Sequence, residues 1–259
     1  MRRVLVIGIG AGDPEHVTMQ AVRALGEVDV FFVIEKSHET DELVRLRREI
    51  CERYIDGHTY RIVEIADPPR DRTTPAYRTA VEDWRARRAE LWERAIADEL
   101  GEDGCGAFLV WGDPSLYDST LAVLEQILAR GAVAFEHEVV PGISSVQALT
   151  ARHRIPLNRV GRAVQITTGR LLAEGFPAGV DEVVVMLDAD CSFRHLEDEE
   201  IEIHWGAYLG MTDEILVSGR LREVADEIVR RRGEARERKG WIMDAYLLRR
   251  GGVSGDFCS

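Results

Sequence analysis

Short apolar runs alternate with amphipathic helical patterns through the first half of this 259-residue chain, and no other feature restricts its fold as strongly. VLVIGIG, VDVFFVIE, YRIVEIA and GAFLVWG read as strands. HVTMQAVRALG between the first two places Val17, Ala21, Val22 and Leu25 on a helical stripe. TDELVRLRREICERYI does the same with Leu43, Leu46, Ile50 and Tyr54, with Thr40 or Asp41 as its N-cap. A long helix is expected from Tyr77 to Leu100, anchored by Trp84, Leu91 and Ile96. Strands that alternate with helices in this way imply a mainly parallel sheet covered on both faces.

The second half has a different texture. AFEHEVVPGISS reads as a strand followed by a proline-glycine turn, and SVQALTARH starts a helix at that turn. AVQITTG, EVVVMLD, EIEIHWGAYLG and GWIMDAYLLRR read as strands, with a helix expected from about Asp213 to Arg232. Several strands joined by short polar turns imply a mixed, more antiparallel sheet. We place the domain boundary just past Gly112, giving an N-terminal α/β domain over 1–113 and a C-terminal one over 114–259. Composition narrows the function. A net charge of −13 argues against general nucleic-acid binding. No stretch is long enough to span a membrane, and MRRVLVIGIG is a first strand rather than a signal peptide. The four scattered cysteines lack a CxxC pair, so reduced thiols in a cytoplasmic protein are expected and no metal site is.

Two turns stand out. In WGDPSLYDST a buried strand stops at Gly112-Asp113-Pro114 and a helix starts just beyond. Pro114 takes the backbone out of the sheet, Gly112 allows close approach, and Asp113 brings a carboxylate to a strand's C-terminal end, where open α/β sheets bind ligands. A plain tight turn, with Asp113 as a local cap, remains the alternative. GIGAGD, with Gly8, Gly10 and Gly12, invites a dinucleotide reading with Glu35 as ribose ligand. The G-x-G-x-x-G fingerprint fails, however, because Asp13 stands where the third glycine belongs. The glycines still call for a tight turn closely approached by something.

GIGAGDPEHVTMQA, WGDPSLYDST, VVPGISS and AYLGMTDEILVSGRL occur in that order, and together they resemble the tetrapyrrole (corrin/porphyrin) methylase family over nearly the whole chain. That resemblance implies two α/β domains with a cleft between them, the fold of class III methyltransferases. It implies S-adenosyl-L-methionine folded in that cleft, S-adenosyl-L-homocysteine as its product, a tetrapyrrole substrate and a homodimer. FFVIEKSHETDELVRLRREICERYI, YRIVEIADPPRDR and YRTAVEDWRARRAEL further resemble the family's deacetylating precorrin methylases. Those imply methylation of precorrin-5 at C1 with loss of acetate. The alternatives are another precorrin methyltransferase, the family's diphthine-forming branch and, outside the class, a Rossmann oxidoreductase.

Carried over by motif, the resemblance names Ala11, Trp111, Gly112, Asp113, Leu116, Ser144, Ser145, Leu187 and Gly210 as cofactor contacts. Ala11 stands where the family usually has proline, and Leu187 where it commonly has methionine. Taken alone, Leu187 reads as a core leucine. Deacetylation calls for a general base and an oxyanion stabiliser. Asp67 and Asp71, in the loop after the third strand, are candidates, and Tyr117 and Asp118 could serve instead; the loop also reads as a plain solvated charged turn. Lys36, Arg61, Arg70 and Arg72 are the candidate cations for the substrate's carboxylates, since a guanidinium holds a carboxylate through two parallel hydrogen bonds.

Overall fold

Alternation within the first strand sorts its side chains onto two faces, and two separate cores form as a result. The computed structural model describes residues 1–35, 41–69 and 77–251, which divide into two compact units, Met1–Ser144 and Ser145–Ser259. The expected N-cap at Thr40 or Asp41 lies outside the described residues and side chains.

The first unit runs β1 (Arg3–Gly8), α1 (Met19–Leu25), β2 (Val30–Glu35), α2 (Asp41–Tyr54), β3 (Arg61–Ala66), α3 (Tyr77–Glu99), β4 (Cys105–Val110), α4 (Thr120–Arg130) and β5 (Glu136–Val140). Its sheet has the order β3-β2-β4-β1-β5, with every pair parallel. Val4 and Val6 of β1 join Phe32, Phe108 and the helices α3 and α4 in one core. Leu5 and Ile7 join Phe31, Leu109 and the helices α1 and α2 in the other. Each large apolar side chain buried this way contributes about 1.5–3 kcal/mol. Trp92 of α3 stacks on Phe108 with ring centroids 4.3 Å apart, which fixes the helix against the middle of the sheet. Both faces are covered, as the alternation required.

The second unit runs α5 (Ser145–His153), β6 (Val164–Thr168), the one-turn α6 (Gly169–Leu172), β7 (Glu182–Met186), β8 (Glu202–Ala207), β9 (Ile215–Arg220), α7 (Leu221–Lys239) and β10 (Asp244–Arg249). Its sheet order is β6-β7-β10-β8-β9, with β6 parallel to β7 and the other pairs antiparallel.

Two expectations need correction. The boundary expected after Asp113 falls inside the first unit, because β5 pairs with β1 along its length and Val123, Leu124 and Ile127 of α4 belong to a first-unit core. The helix expected from Asp213 to Arg232 is a strand followed by a later helix. Ile215–Arg220 takes the edge position beside β8, whose ladder holds it extended. The helix begins at Leu221 and buries Leu221, Ile228 and Ala235, a seven-residue spacing that keeps one face on the core.

Candidate active site

In the first sheet, β1 and β4 are neighbours, yet the chain leaves them in opposite directions. β1 leads through α1 toward β2, and β4 leads through α4 toward β5. The C-terminal ends of β1 and β4 therefore flank a topological switch point, where ligands enter open α/β sheets. A dinucleotide fold would carry the order 3-2-1-4-5 instead. The glycine loop after β1 also runs into a 3-10 turn, Pro14–His16, and α1 starts only at Met19. α1 therefore does not open directly on the glycine turn, as a pyrophosphate-binding helix would.

The glycines serve a different purpose. Gly10 and Gly112 bridge, the Gly112 N–H donating to the Gly10 carbonyl at 2.8 Å and the Gly10 N–H to the Gly112 carbonyl at 3.3 Å. A Cβ on Gly142 would lie 2.1 Å from the Gly112 oxygen and 2.8 Å from the Gly8 Cα. A Cβ on Gly8 would lie 2.6 Å from the Gly142 nitrogen. The turns after β1, β4 and β5 thus meet backbone to backbone. What approaches the glycines so closely is one another. Gly112 also has φ of 69°, in the left-handed region that a side chain disfavours.

Asp113 locks this junction. Its Oδ2 accepts the Gly142 N–H at 2.9 Å, and its Oδ1 accepts the Ser115 N–H at 2.9 Å and the Ser115 hydroxyl. Burial alone would push the carboxyl up. The three donors outweigh it and hold Asp113 below the ordinary carboxylate range. Both oxygens are thereby engaged within the protein, so Asp113 braces the turn. Ala11 is buried beside this junction, Trp111 packs on the core under α1 and α2, and Leu116 is half-buried. Tyr117 is 46% exposed with φ of 53°, and burial of its ring pushes the phenol upward. Ser144 is buried directly ahead of α5, and Ser145 is the first residue of that helix.

Two arginines that the sequence reading passed over hold the end of β4 and the turn beyond it, Arg47 at Leu109 and Arg88 at Ser119. Arg88 of α3 lies over the Trp84 ring at 4.2 Å; its Nε donates to Asp67 at 2.7 Å and its Nη1 to Ser119 Oγ at 2.9 Å. Asp67 is therefore the counterion of a buried guanidinium, and a free water-positioning carboxylate is not what the structure finds there. Arg47 of α2 donates Nε to the Leu109 carbonyl and Nη1 to the Leu43 carbonyl, each at 3.2 Å.

In the second unit, Leu187 follows β7 and is 67% exposed with φ of 54°. It is not a core leucine. Burial instead claims its neighbour Asp188, which accepts from the Ser192 N–H, the Ser192 hydroxyl and the Tyr246 hydroxyl. Arg232 donates to the Asp188 and Ala189 carbonyls and pairs with Asp244 at 2.9 Å. The Gly210 N–H donates to Glu214 at 2.9 Å.

Of the candidate cations, Lys36, Arg70 and Arg72 lie outside the described residues, as does Asp71. Arg61 is the first residue of β3, so in a parallel sheet it stands at the end opposite the switch point, where it pairs with Glu99 at 2.8 Å. Among the described residues no group of three or more His, Cys, Asp or Glu is placed to hold a metal ion, and no helix is long and apolar enough to cross a membrane.

Comparison with known proteins assigns the family. The model of the tetrapyrrole (corrin/porphyrin) methylases matches residues 3–225. A precorrin-6A synthase [deacetylating] of Sinorhizobium sp is 53% identical over 251 residues, covering 97% of this chain and 96% of that protein. The crystal structure of a putative cobalamin synthesis related protein from Corynebacterium diphtheriae superposes with a TM-score of 0.84 at 37% identity, covering 96% of this chain and 99% of that one. A uroporphyrin-III C-methyl transferase from Thermus thermophilus, complexed with S-adenyl homocysteine, shares the fold at a TM-score of 0.57 and 21% identity, covering 95% of this chain and 96% of its own. On this match, and on the folded switch point that the motifs build, the chain belongs to the tetrapyrrole (corrin/porphyrin) methylases.

Proposed function

We propose that this chain is an S-adenosylmethionine-dependent C-methyltransferase of cobalamin biosynthesis, which methylates precorrin-5 at C1 and releases acetate to give precorrin-6A. The observation that carries this reading is 53% identity over nearly the whole length of a deacetylating precorrin-6A synthase. The residues present suit the cofactor. The turn at Trp111-Gly112 and the amides around Ser144 and Ser145 offer polar backbone groups for its ribose and methionyl ends. When bound, the cofactor supplies an electrophilic methyl group.

The chain's own part is to position the macrocycle and to stabilise the departing acetyl group. With Asp113 and Asp67 engaged inside the protein, the exposed Tyr117 is the group at the turn assigned to act on substrate. Its raised pKa keeps it protonated at neutral pH, so it donates to the acetyl carbonyl oxygen and does not serve as a base. The reading includes a cytoplasmic homodimer, which light scattering after size exclusion checks. The decisive experiment incubates the purified protein with precorrin-5 and methyl-labelled S-adenosylmethionine. Stoichiometric acetate and one labelled methyl in the tetrapyrrole are expected. Methylation without acetate would assign the chain to another precorrin methyltransferase.

A further inference from the structure

β2 and β4 pair only from Val30 to Phe32 against Gly106 to Phe108, and beyond that point they part. In a parallel ladder the carbonyls of β4 alternate sides. The Val110 carbonyl accepts from Ile9 beyond β1, so the Leu109 carbonyl faces the gap beside β2. Arg47 reaches into that gap and satisfies it. A guanidinium therefore stands beside the last residues of β4, at a carbonyl three residues before Gly112.

Its electrostatic situation differs from that of the three buried arginines. Arg88 has Asp67, Arg232 has Asp244, and Arg249 has Glu182 as a counterion within hydrogen-bonding or ion-pairing distance. Arg47 is half-buried and, among the described residues, has no carboxylate within 4.0 Å. Burial lowers its pKa, and the field of Asp118 only partly offsets this. A half-buried charge held by two carbonyls and lacking a counterion is costly to keep, and a ligand anion would relieve that cost. Two of its nitrogens are spent on Leu109 and Leu43, and Nη2 makes no hydrogen bond among the described residues.

We infer that Arg47 is a substrate-binding residue that takes a peripheral carboxylate of the tetrapyrrole at the rim of the switch point, beside the turn that ends β4. The inference rests on the proposed substrate. It replaces Arg61, which lies at the wrong end of the sheet, as the described cation on this rim.

The test measures precorrin-5 binding by tryptophan fluorescence and S-adenosylhomocysteine binding by calorimetry, in wild type, Arg47→Gln, Arg47→Lys and the remote control Arg222→Gln. Arg47→Gln should raise the precorrin-5 Kd roughly ten- to hundredfold, as for loss of a charge-assisted hydrogen bond. KM should rise with it while kcat changes by less than about threefold. Arg47→Lys should fall between wild type and Arg47→Gln, because an ammonium keeps the charge without the planar fork. The control and all S-adenosylhomocysteine affinities should stay at the wild-type value. Unchanged precorrin-5 affinity in Arg47→Gln, with wild-type turnover intact, overturns the inference and leaves Arg47 as the cap of the Leu109 carbonyl. Parallel loss of S-adenosylhomocysteine affinity in a folded variant also overturns it, in favour of the cofactor's carboxylate. If wild type neither binds nor turns over precorrin-5, the proposed function fails first. Should Arg47→Gln not fold, a crystal structure of wild type with precorrin-5 decides: a substrate carboxylate on Arg47 supports the assignment, and none there removes it.

Discussion

The two units hold their exposed turns by opposite means. In the first, the turns after β1, β4 and β5 touch through bare backbone at Gly8, Gly112 and Gly142, and the one charged side chain at the junction, Asp113, is bound by neutral donors. In the second, the turn carrying Leu187 is tied down by buried charge, with Asp188 under Tyr246 and Ser192, and Arg232 against Asp244. The geometry of each sheet explains the contrast. Three parallel strands ending side by side leave their turns no room for side chains. The mixed sheet sends β7 and β10 past each other, so Tyr246 of β10 comes to lie under the turn after β7. The first device is the more sensitive to volume, the second to charge.

Breaking the second device should cost most. Arg232→Met removes the partner of Asp244, a carboxyl that burial pushes up and Arg232 holds down, and it also orphans the Asp188 and Ala189 carbonyls. A loss of about 3–5 kcal/mol in urea unfolding is expected, the range for stranding a buried charge. Gly142→Ala attacks the first device. With the new Cβ at 2.1 Å from a backbone oxygen, the turns must separate, and a loss of about 1–3 kcal/mol is expected together with weaker S-adenosylhomocysteine binding. If Gly142→Ala were neutral in both readouts, the close approach at the switch point would not be what holds it. Tyr246→Phe should cost about 1–2 kcal/mol, because Asp188 keeps its donors from Ser192. A neutral result there would mean that the buried hydroxyl adds nothing to the Leu187 turn.

The same contrast explains what the sequence disclosed. Strands buried on both faces leave continuous apolar runs, so β1, β2 and β4 were legible, and so was the glycine demand for close approach. The partner in that approach was not legible, since Gly8 and Gly142 meet only through the strand order, which no local pattern encodes. β9 was misread because an edge strand paired on one side carries a weak pattern, and ILVSGR merges into the helix that follows it. Leu187 looked like core because its neighbours in EVVVM are core; its exposure depends on Asp188 taking the inward position instead. Arg47 gave no signal at all. It sits within an ordinary amphipathic pattern, and only the parting of β2 from β4 gives it a role.

The smallest expected effect is also confined to the second unit. His204 of β8 has both ring nitrogens buried without a partner, and its ring centroid lies 5.3 Å from that of His153. Burial lowers its pKa to about 4, with His153 and Arg249 adding repulsion. The unfolded chain then takes up a proton near pH 6.5 that the native state refuses until about pH 4. Between those limits the unfolded state binds more protons, so stability falls as pH falls, by about 1 kcal/mol at pH 5.5 from this group. His153, itself lowered by burial against the Trp205 carbonyl bond and Glu214, adds in the same direction. His204→Leu keeps most of the volume and removes the titration. Urea unfolding at pH 7.5 and 5.5 should show the variant losing about 1 kcal/mol less than wild type over that interval. At pH 7.5 the variant should be no less stable, since neither ring nitrogen has a hydrogen bond to lose. A wild-type slope retained in His204→Leu would remove His204 as the source of the acid sensitivity and assign it to His153 or to groups elsewhere in the chain.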